Sequence, residues 1–360
     1  MVNCLELDLD ELTALLAAWG ELPTLARQVW RGLYREHALT FEQMTALPPS
    51  LRQRLAAEVT LPWPRLIARQ ESADGGARKD LLELADGERI EVVLLRYRGR
   101  RSACLSTQVG CACGCAFCAT GQMGFVRQLS AGEIVAQALH FQRELAAAGE
   151  MLHNIVLMGM GEPLLNIDAT LAALRRLLDP RALGLAPRRV TLSTVGIVPG
   201  ILRWADEGPR VRLAVSLHAA TDELRDELVP VNRRYPLDEL FAALRYYAAR
   251  TGRRVLIEWV LIDGVNDSRA QAEALAARLS GLDAHVNLIR LNPTAGYAGR
   301  PATAEAEAVF CAVLDAAGIP HTMRQRRGAE IAAGCGQLRS SSNPPLRHPP
   351  LRHPPLRRGL

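Results

Sequence analysis

The chain has 360 residues, of which 49% are hydrophobic and 22% charged, and its formal net charge is +5. This composition is typical of a globular protein, and neither a membrane-spanning run of roughly 18 apolar residues nor a signal peptide is evident, so we expect a cytoplasmic protein with no membrane partner. Removing four arginines in a C-terminal tail leaves a net charge of about +1, so any RNA-binding surface must be local.

The N-terminal quarter of the chain has a helical pattern. Helical periodicity runs from about residue 8 to 60, in three segments of which the second starts with proline, and we assign residues 1–75 to a helical accessory domain. A linker at 72–80 follows. Two β-type runs then flank the turn signal Asp86-Gly87, which predicts a β-hairpin extension over residues 80–100.

From residue 97 to 330, apolar runs of strand length alternate with amphipathic runs of helix length. The expected strands are residues 102–108, 154–159, 189–195, 211–218, 255–262 and 285–292. Repeated βα units imply a parallel sheet with right-handed crossovers. About six units predict an α/β fold, a partial (β/α)6 barrel, with ligands bound at the C-terminal ends of its strands.

The last residues, 344–360, repeat the motif PPLRH. This segment has no apolar periodicity, and its prolines lack backbone donors, so we expect a disordered tail and assign it no function.

The cysteines point to metal chemistry. Eight cysteines are too few and too clustered for a secreted disulfide scaffold in a chain of this length. Cys111, Cys115 and Cys118 form a C-x3-C-x2-C triad in a loop after the first barrel strand. Three thiolates leave one iron of a [4Fe-4S] cluster open to chelate S-adenosylmethionine (SAM) for reductive cleavage. A structural zinc site, with Cys113 or another cysteine as the fourth ligand, is the alternative.

Polar residues at later strand ends favour the cluster interpretation. The motif GMGEP, residues 159–163, follows the second barrel strand; its glycines allow close backbone approach, and Glu162 can accept from an ammonium group. Other polar residues end later strands: Ser193, Ser216, His218 and Asn292. Each could be satisfied by backbone groups alone, but their convergence on one rim favours ligand contacts.

Six stretches carry a more specific signal: QVGCACGCAFCATGQMGF, VLMGMGEPLLN, LSTVGIVP, LAVSLHA, LIRLNP and RGAEIAAGCGQL. In order from about residue 85 to 340, they closely resemble the RlmN/Cfr family of radical SAM RNA methyltransferases, and its RlmN branch most. The helical module is also similar to that family's accessory domain. The resemblance implies a radical SAM barrel over residues 97–330 and a catalytic cysteine loop over 331–343.

The resemblance also implies roles for three further residues. An adenine ring carbon is too weak a nucleophile to attack SAM, so in this family one SAM first methylates a cysteine, here Cys335. A second SAM supplies a 5′-deoxyadenosyl radical that abstracts hydrogen from the S-methyl group. Glu91 matches the family's proton acceptor, and Cys104 matches the thiol that releases the RNA through a transient disulfide with Cys335. From pattern alone, Glu91 could equally be an edge-strand glutamate and Cys104 a core cysteine.

The remaining candidate residues are those expected to contact SAM and those expected to contact RNA phosphates. The SAM contacts implied by the family are Gly161, Glu162, Ser193, Ser216, Leu217, His218 and Asn292. Two basic groups bracket the reaction centre and are candidates for phosphate positioning: Arg96, Arg98, Arg100 and Arg101, and Arg324, Arg326 and Arg327. Cys4, Cys113 and Cys311 match no family role.

The function implied is methylation of the C2 carbon of an adenosine in 23S rRNA and in tRNA, with a [4Fe-4S] cluster and two SAM molecules per turnover. A flavodoxin or ferredoxin would supply electrons. Methylation of C8, as in the Cfr branch, is the nearest alternative, because both reactions need the same residues. A non-catalytic zinc-binding RNA module is a more remote one.

Overall fold

A computed structural model describes residues 1–338 of the chain. The α-helices are α1 (Leu9–Ala18), α2 (Pro23–Tyr34), α3 (Pro49–Glu58), α4 (Ala119–Gln122), α5 (Ala131–Ala147), α6 (Ile167–Leu178), α7 (Val198–Glu207), α8 (Asp222–Leu228), α9 (Leu237–Thr251), α10 (Arg269–Leu279) and α11 (Ala304–Ala316). The strands are β1 (Val2–Asn3), β2 (Val59–Thr60), β3 (Arg65–Glu71), β4 (Ala77–Glu83), β5 (Arg89–Tyr97), β6 (Arg100–Cys104), β7 (Gln108–Gly110), β8 (Phe125–Gln128), β9 (Asn154–Leu157), β10 (Val190–Thr194), β11 (Arg212–Ser216), β12 (Val255–Leu261), β13 (Ala284–Arg290) and β14 (His321–Met323).

One ten-stranded sheet, in the order β14-β13-β12-β11-β10-β9-β6-β5-β4-β3, organises the molecule. From β6 to β14 neighbouring strands are parallel, each joined to the next by a helical crossover. Within it, β10 and β12 are buried along almost their whole length, as expected when helices cover both faces of a parallel sheet. The predicted α/β architecture of six βα units is confirmed, and the short β14 adds a seventh parallel strand.

The sheet extends on its other side through three antiparallel strands. β4 and β5 pair around the turn at Asp86 and Gly87, where the sequence predicts a hairpin. β3 lies within the range that the sequence assigns to the helical module, and residues 72–76 form the turn between β3 and β4. β3 is an exposed edge strand rich in charged residues, so it lacks the apolar alternation by which a strand is recognised.

The N-terminal module, which contains helices α1 to α3, contacts the helices of the parallel sheet through residues 5–6. The guanidinium of Arg176 in α6 donates to the backbone carbonyls of Leu5 and Glu6. The carboxylate of Glu6 accepts from Ser130 and from the backbone of Gly132 at the start of α5. This carboxylate complements the positive end of the α5 dipole. The module is therefore held by buried polar contacts as well as apolar ones.

Within residues 1–338, no helix combines the length and the apolar character needed to cross a membrane. The PPLRH tail at 344–360 and the last part of the expected cysteine loop, 339–343, lie outside the described residues.

Replacing Arg176 by leucine should weaken the docking of the N-terminal module. The substitution leaves the carbonyls of Leu5 and Glu6 without their donor, and we expect the free energy of unfolding to fall by about 2 kcal/mol. Urea unfolding and limited proteolysis would measure this. The matched control is Arg175→Leu at the exposed neighbouring position. Equal stabilities of the two variants would contradict the docking role.

Candidate functional site

A cavity opens at the C-terminal ends of the parallel strands, where the fold predicts a ligand site. Most of the residues proposed from sequence line it: Cys104, Cys111, Cys115, Cys118, Gly161, Glu162, Ser193, Ser216, His218, Asn292 and Cys335. Two are not among its lining residues. Leu217 packs in the apolar core, and Glu91 is buried beside Lys79.

The cysteine loop is held between the antiparallel strands β7 and β8. The backbone N–H of Cys111 donates to the carbonyl of Gly124 (2.9 Å), which closes the base of the loop. Cys118 lies directly before the short helix α4. A Cβ on Gly121 would lie 2.9 Å from the backbone nitrogen of Cys115, so glycine is needed for the loop to fold back on itself.

The three thiols fit an iron-sulfur cluster. Burial raises the pKa of Cys115 and Cys118, so both need a cationic partner to become thiolates, and metal ions supply it. Among residues 1–338, the three-residue group whose ligand atoms all lie within 4.8 Å of one another is Asp80, His140 and Glu144. The cysteine triad is not such a group.

Cys113 is not a lining residue of the cavity, although it lies two positions from Cys111. Its buried thiol hydrogen-bonds to the Cys111 thiol; this contact lowers the pKa of Cys111 and raises that of Cys113. Cys113 also packs in an apolar cluster with Phe117 and Leu228. It is therefore a core residue that contacts one proposed ligand.

Glu162 lies at the floor of the cavity, directly after Gly161. One carboxylate oxygen accepts from the backbone of Leu164 (2.9 Å) and the other from Val195 (2.8 Å). Burial raises the pKa of Glu162 to about 7, against the lowering effect of these two bonds. Gly161 has φ +99°, and a Cβ there would lie 2.5 Å from Gln108 Cβ. Gly161 and Glu162 are thus held in a fixed conformation, with the Glu162 carboxyl group at the cavity.

The polar strand ends converge as the sequence predicts. Ser193 and Ser216 face each other across β10 and β11, with 3.4 Å between their hydroxyl oxygens. His218 Nδ1 accepts from the backbone of Val260 (3.0 Å), and its ring meets Phe117 edge to face. Burial lowers the pKa of His218 to about 3, so the imidazole is neutral with its hydrogen on Nε2.

The C-terminal loop brings Cys335 over the cysteine triad. The backbone N–H of Ala119 donates to the carbonyl of Gly336 (2.6 Å), and the Asn292 amide donates to the carbonyl of Cys335 (3.3 Å). Gln337 closes the turn by accepting from Gly334 (3.1 Å). A Cβ on Gly334 would lie 2.5 Å from the Asn292 amide nitrogen. Asn292 therefore positions the loop that carries Cys335.

Cys104 and Cys335 share this cavity, and both are free thiols. Burial, with a smaller contribution from the charge of Cys335, raises the pKa of Cys104 to about 12; the guanidinium of Arg324 acts in the opposite direction. Arg324 also lines the cavity and donates to Glu258 (3.1 Å), which is buried in the middle of β12. The sequence analysis assigned Arg324 to a basic group and did not identify Glu258, because neither residue belongs to a recognisable sequence motif.

Both basic groups contain exposed as well as half-buried arginines. Arg98 and Arg100 are exposed, whereas Arg101 is ion-paired with Glu150. In the second group, Arg326 donates to Asn292 (3.2 Å) and Arg327 donates to the carbonyl of Arg96. The guanidinium of Arg327 also stacks on Tyr97. Arg326 therefore also positions Asn292, and Arg327 links the C-terminal loop to β5.

Comparisons with known proteins agree with this arrangement. Residues 105–275 match the model of the radical SAM superfamily, and residues 2–61 match that of the ribosomal RNA large subunit methyltransferase N-terminal domain. The dual-specificity RNA methyltransferase RlmN 1 of Myxococcus xanthus is 51% identical over 339 residues, which cover 94% of each chain.

The chain belongs to the RlmN family. A probable RlmN of Moorella thermoacetica is 50% identical over 94% of this chain and 97% of its own length. The crystal structure of a radical SAM methyltransferase from Sphaerobacter thermophilus superposes with a TM-score of 0.91 at 48% identity, covering 94% of this chain and 99% of that one. As an RlmN-family member, the chain is a radical SAM RNA methyltransferase, and its cofactors are a [4Fe-4S] cluster and SAM.

The geometry predicts different outcomes for neighbouring cysteines. Cys115→Ala should lose most of the iron and sulfide of the anaerobically reconstituted protein, because its thiol faces the cavity. Cys113→Ala should retain them, because Cys113 is not among the residues that line the cavity. Metal analysis with the visible absorption spectrum would measure both. Iron loss from the Cys113 variant, or stoichiometric zinc in the unsubstituted protein, would contradict the assignment.

Proposed function

We propose that the chain methylates the C2 carbon of an adenosine in 23S rRNA and in tRNA, through an S-methylcysteine at Cys335. The observation that carries this proposal is that Cys104 and Cys335 line the same cavity as the cysteine triad. A direct methyl transfer from SAM would need neither of these two thiols. The relatives named as dual-specificity RNA methyltransferases support an RNA substrate.

Cys335 begins the sequence of steps. Its side chain is exposed at the mouth of the cavity, where it can reach both SAM and RNA. The Cys335 thiolate takes a methyl group as the sulfonium C–S bond of the first SAM breaks. When bound, the cluster supplies the electron that cleaves a second SAM to methionine and a 5′-deoxyadenosyl radical, and it takes one electron back later in the turnover. Flavodoxin or ferredoxin is the proposed electron donor.

The SAM contacts proposed for this step lie on one side of the cavity. The Glu162 carboxylate would accept from the SAM ammonium group, and Ser193, Ser216 and Asn292 offer further polar atoms. The family set also includes Gly161, Leu217 and His218. Leu217 lies in the core and can contribute through its backbone only. His218 is neutral and can donate from Nε2.

Glu91 and Cys104 complete the reaction. After the S-methylene carbon has bonded to the adenine carbon, Glu91 accepts the ring proton. The Cys104 sulfur then attacks the Cys335 sulfur, so that an S–S bond forms as the bond between sulfur and the RNA-linked carbon breaks; that carbon keeps the bonding electron pair and takes a proton, from protonated Glu91 or from solvent, to become the methyl group. A reductant must afterwards restore both thiols.

The charge around Cys104 fits this order of events. Only a thiolate is a good nucleophile, and burial and the charge of Cys335 both raise the pKa of Cys104. Alkylation of Cys335 removes its charge, while the Arg324 guanidinium remains to stabilise a Cys104 thiolate. Cys104 should therefore be a better nucleophile once Cys335 has been alkylated, which happens first when Cys335 takes the methyl group.

The Cys104→Ala variant should stop with the RNA covalently bound to Cys335, because no thiol is left to break the link. Denaturing gels of anaerobic single-turnover reactions would show the protein–RNA species. Cys311→Ala, in a half-buried position on α11, is the control and should release methylated RNA normally. Absence of the covalent species from the Cys104 variant would remove that residue from the proposed role.

The methylated carbon is a separate prediction. Nucleoside mass spectrometry with authentic standards, applied to 23S rRNA and tRNA from a deletion strain with and without the gene, should find 2-methyladenosine restored in both RNAs. Detection of 8-methyladenosine would instead support the Cfr-like reaction. Restoration in rRNA alone would contradict the second substrate.

A further inference from the structure

Lys79 is the single lysine of the sequence; all other cationic side chains among the 43 lysines and arginines are arginine. It lies in β4 and is buried, with 3% of its side chain exposed. Its ammonium is 3.1 Å from Glu91 Oε1 and donates to the backbone carbonyl of Ala332 (3.2 Å). Because burying an ammonium group is costly unless it is paired, these contacts must be well formed for the chain to tolerate it.

The register of the strands explains why these groups meet. Lys79 pairs with Val93 across β4 and β5, and Leu81 pairs with Glu91. Paired residues of antiparallel strands share a face, and Val93 lies on the cavity wall. Lys79 and Glu91 thus belong to the face of the sheet that is turned toward the site.

The C-terminal loop packs on this same face. A Cβ on Gly328 would lie 2.8 Å from Ala77 Cβ, so the loop backbone touches the start of β4. Ala332 has φ +50°, an unfavourable conformation for a residue with a side chain. Its carbonyl is turned to the Lys79 ammonium three residues before Cys335.

We propose that Lys79 is a positioning residue that couples Glu91 to the loop carrying Cys335. One ammonium group compensates the Glu91 carboxylate and anchors the loop, so the proton acceptor and the methyl carrier are held in one arrangement. This inference rests on the roles proposed above for Glu91 and Cys335. A lysine suits the task because its compact ammonium has three donors that can serve acceptors on two chain segments.

The coupling predicts a selective defect. Lys79→Met should still acquire a methyl group on Cys335, measured by intact-protein mass spectrometry, because that step precedes the use of Glu91. Product release in anaerobic single-turnover reactions should fall at least about tenfold, with protein-linked RNA accumulating. Lys79→Arg should restore much of the release because it retains charge and reach. Arg254→Met, which removes an exposed ion pair with Asp283 at the opposite ends of the strands, is the control.

Two results would overturn the inference. The first is that Lys79→Met releases product at the rate of the unsubstituted protein. The second is that both lysine variants lose methyl loading and product release equally, which would indicate a purely structural role. Glu91→Gln separates this inference from the function on which it depends. If Glu91→Gln releases product normally, the proposed proton acceptor is wrong; if it accumulates adduct while Lys79→Met does not, only the coupling is wrong.

A labelling measurement keeps the test open should Lys79→Met fail to fold. Because the chain has one lysine, an amine-reactive acylating reagent has one side-chain target, with the N-terminal amine as an internal reference. We expect Lys79 to react much more slowly than the reference in the unsubstituted protein, and faster in Glu91→Gln. Equal rates for the lysine and the reference in the unsubstituted protein would show that the buried linkage is not formed.

Discussion

The backbone hydrogen bond between Ala119 and Gly336 joins two loops that are more than two hundred residues apart in sequence. One loop carries the cysteines proposed to bind the cluster and begins at the first βα unit; the other follows the last strand and carries Cys335. A parallel sheet makes this meeting possible, because all its strands end at the same edge. The proposed chemistry depends on it, since a methyl carrier must reach the place where a radical is generated.

Burial shifts the pKa of several groups around that contact. It raises the pKa of Glu162, Cys104 and Cys115 and lowers that of His218. In such an environment a charged group is stable only beside an opposite charge or a hydrogen-bond donor. Arg324 and Lys79 supply positive charge beside the Cys104 thiol and the Glu91 carboxylate, respectively. The binding or release of a charged ligand should therefore change the protonation of these thiols and carboxylates.

Much of this arrangement follows from sequence. The βα alternation predicted the parallel sheet, and short-range patterns such as the cysteine triad and GMGEP identified groups at strand ends. Cys335, Cys104 and Glu91 required the family resemblance, because a single cysteine or glutamate has no pattern of its own. The edge strand β3 was missed because it is charged, and β14 because it is only three residues long.

The partners of the site were harder to find because they are defined by long-range contacts. Lys79 and Ala332 are 253 residues apart, and Arg324 and Glu258 are 66 apart. No periodicity or spacing connects such residues; only the folded sheet brings them together. Leu217 lies inside a matching motif, but its side chain belongs to the core, so the proposed contact with SAM would have to come from its backbone.

The most direct test of the account is the fate of the methyl hydrogens. With SAM carrying a fully deuterated methyl group, a methyl transferred through Cys335 loses one deuterium to the 5′-deoxyadenosyl radical and regains a hydrogen from another source. Mass spectrometry of the methylated adenosine should therefore find two deuterium atoms in the methyl group, with the third in 5′-deoxyadenosine. Retention of all three in the RNA would mean direct transfer from SAM and would contradict the role of Cys335.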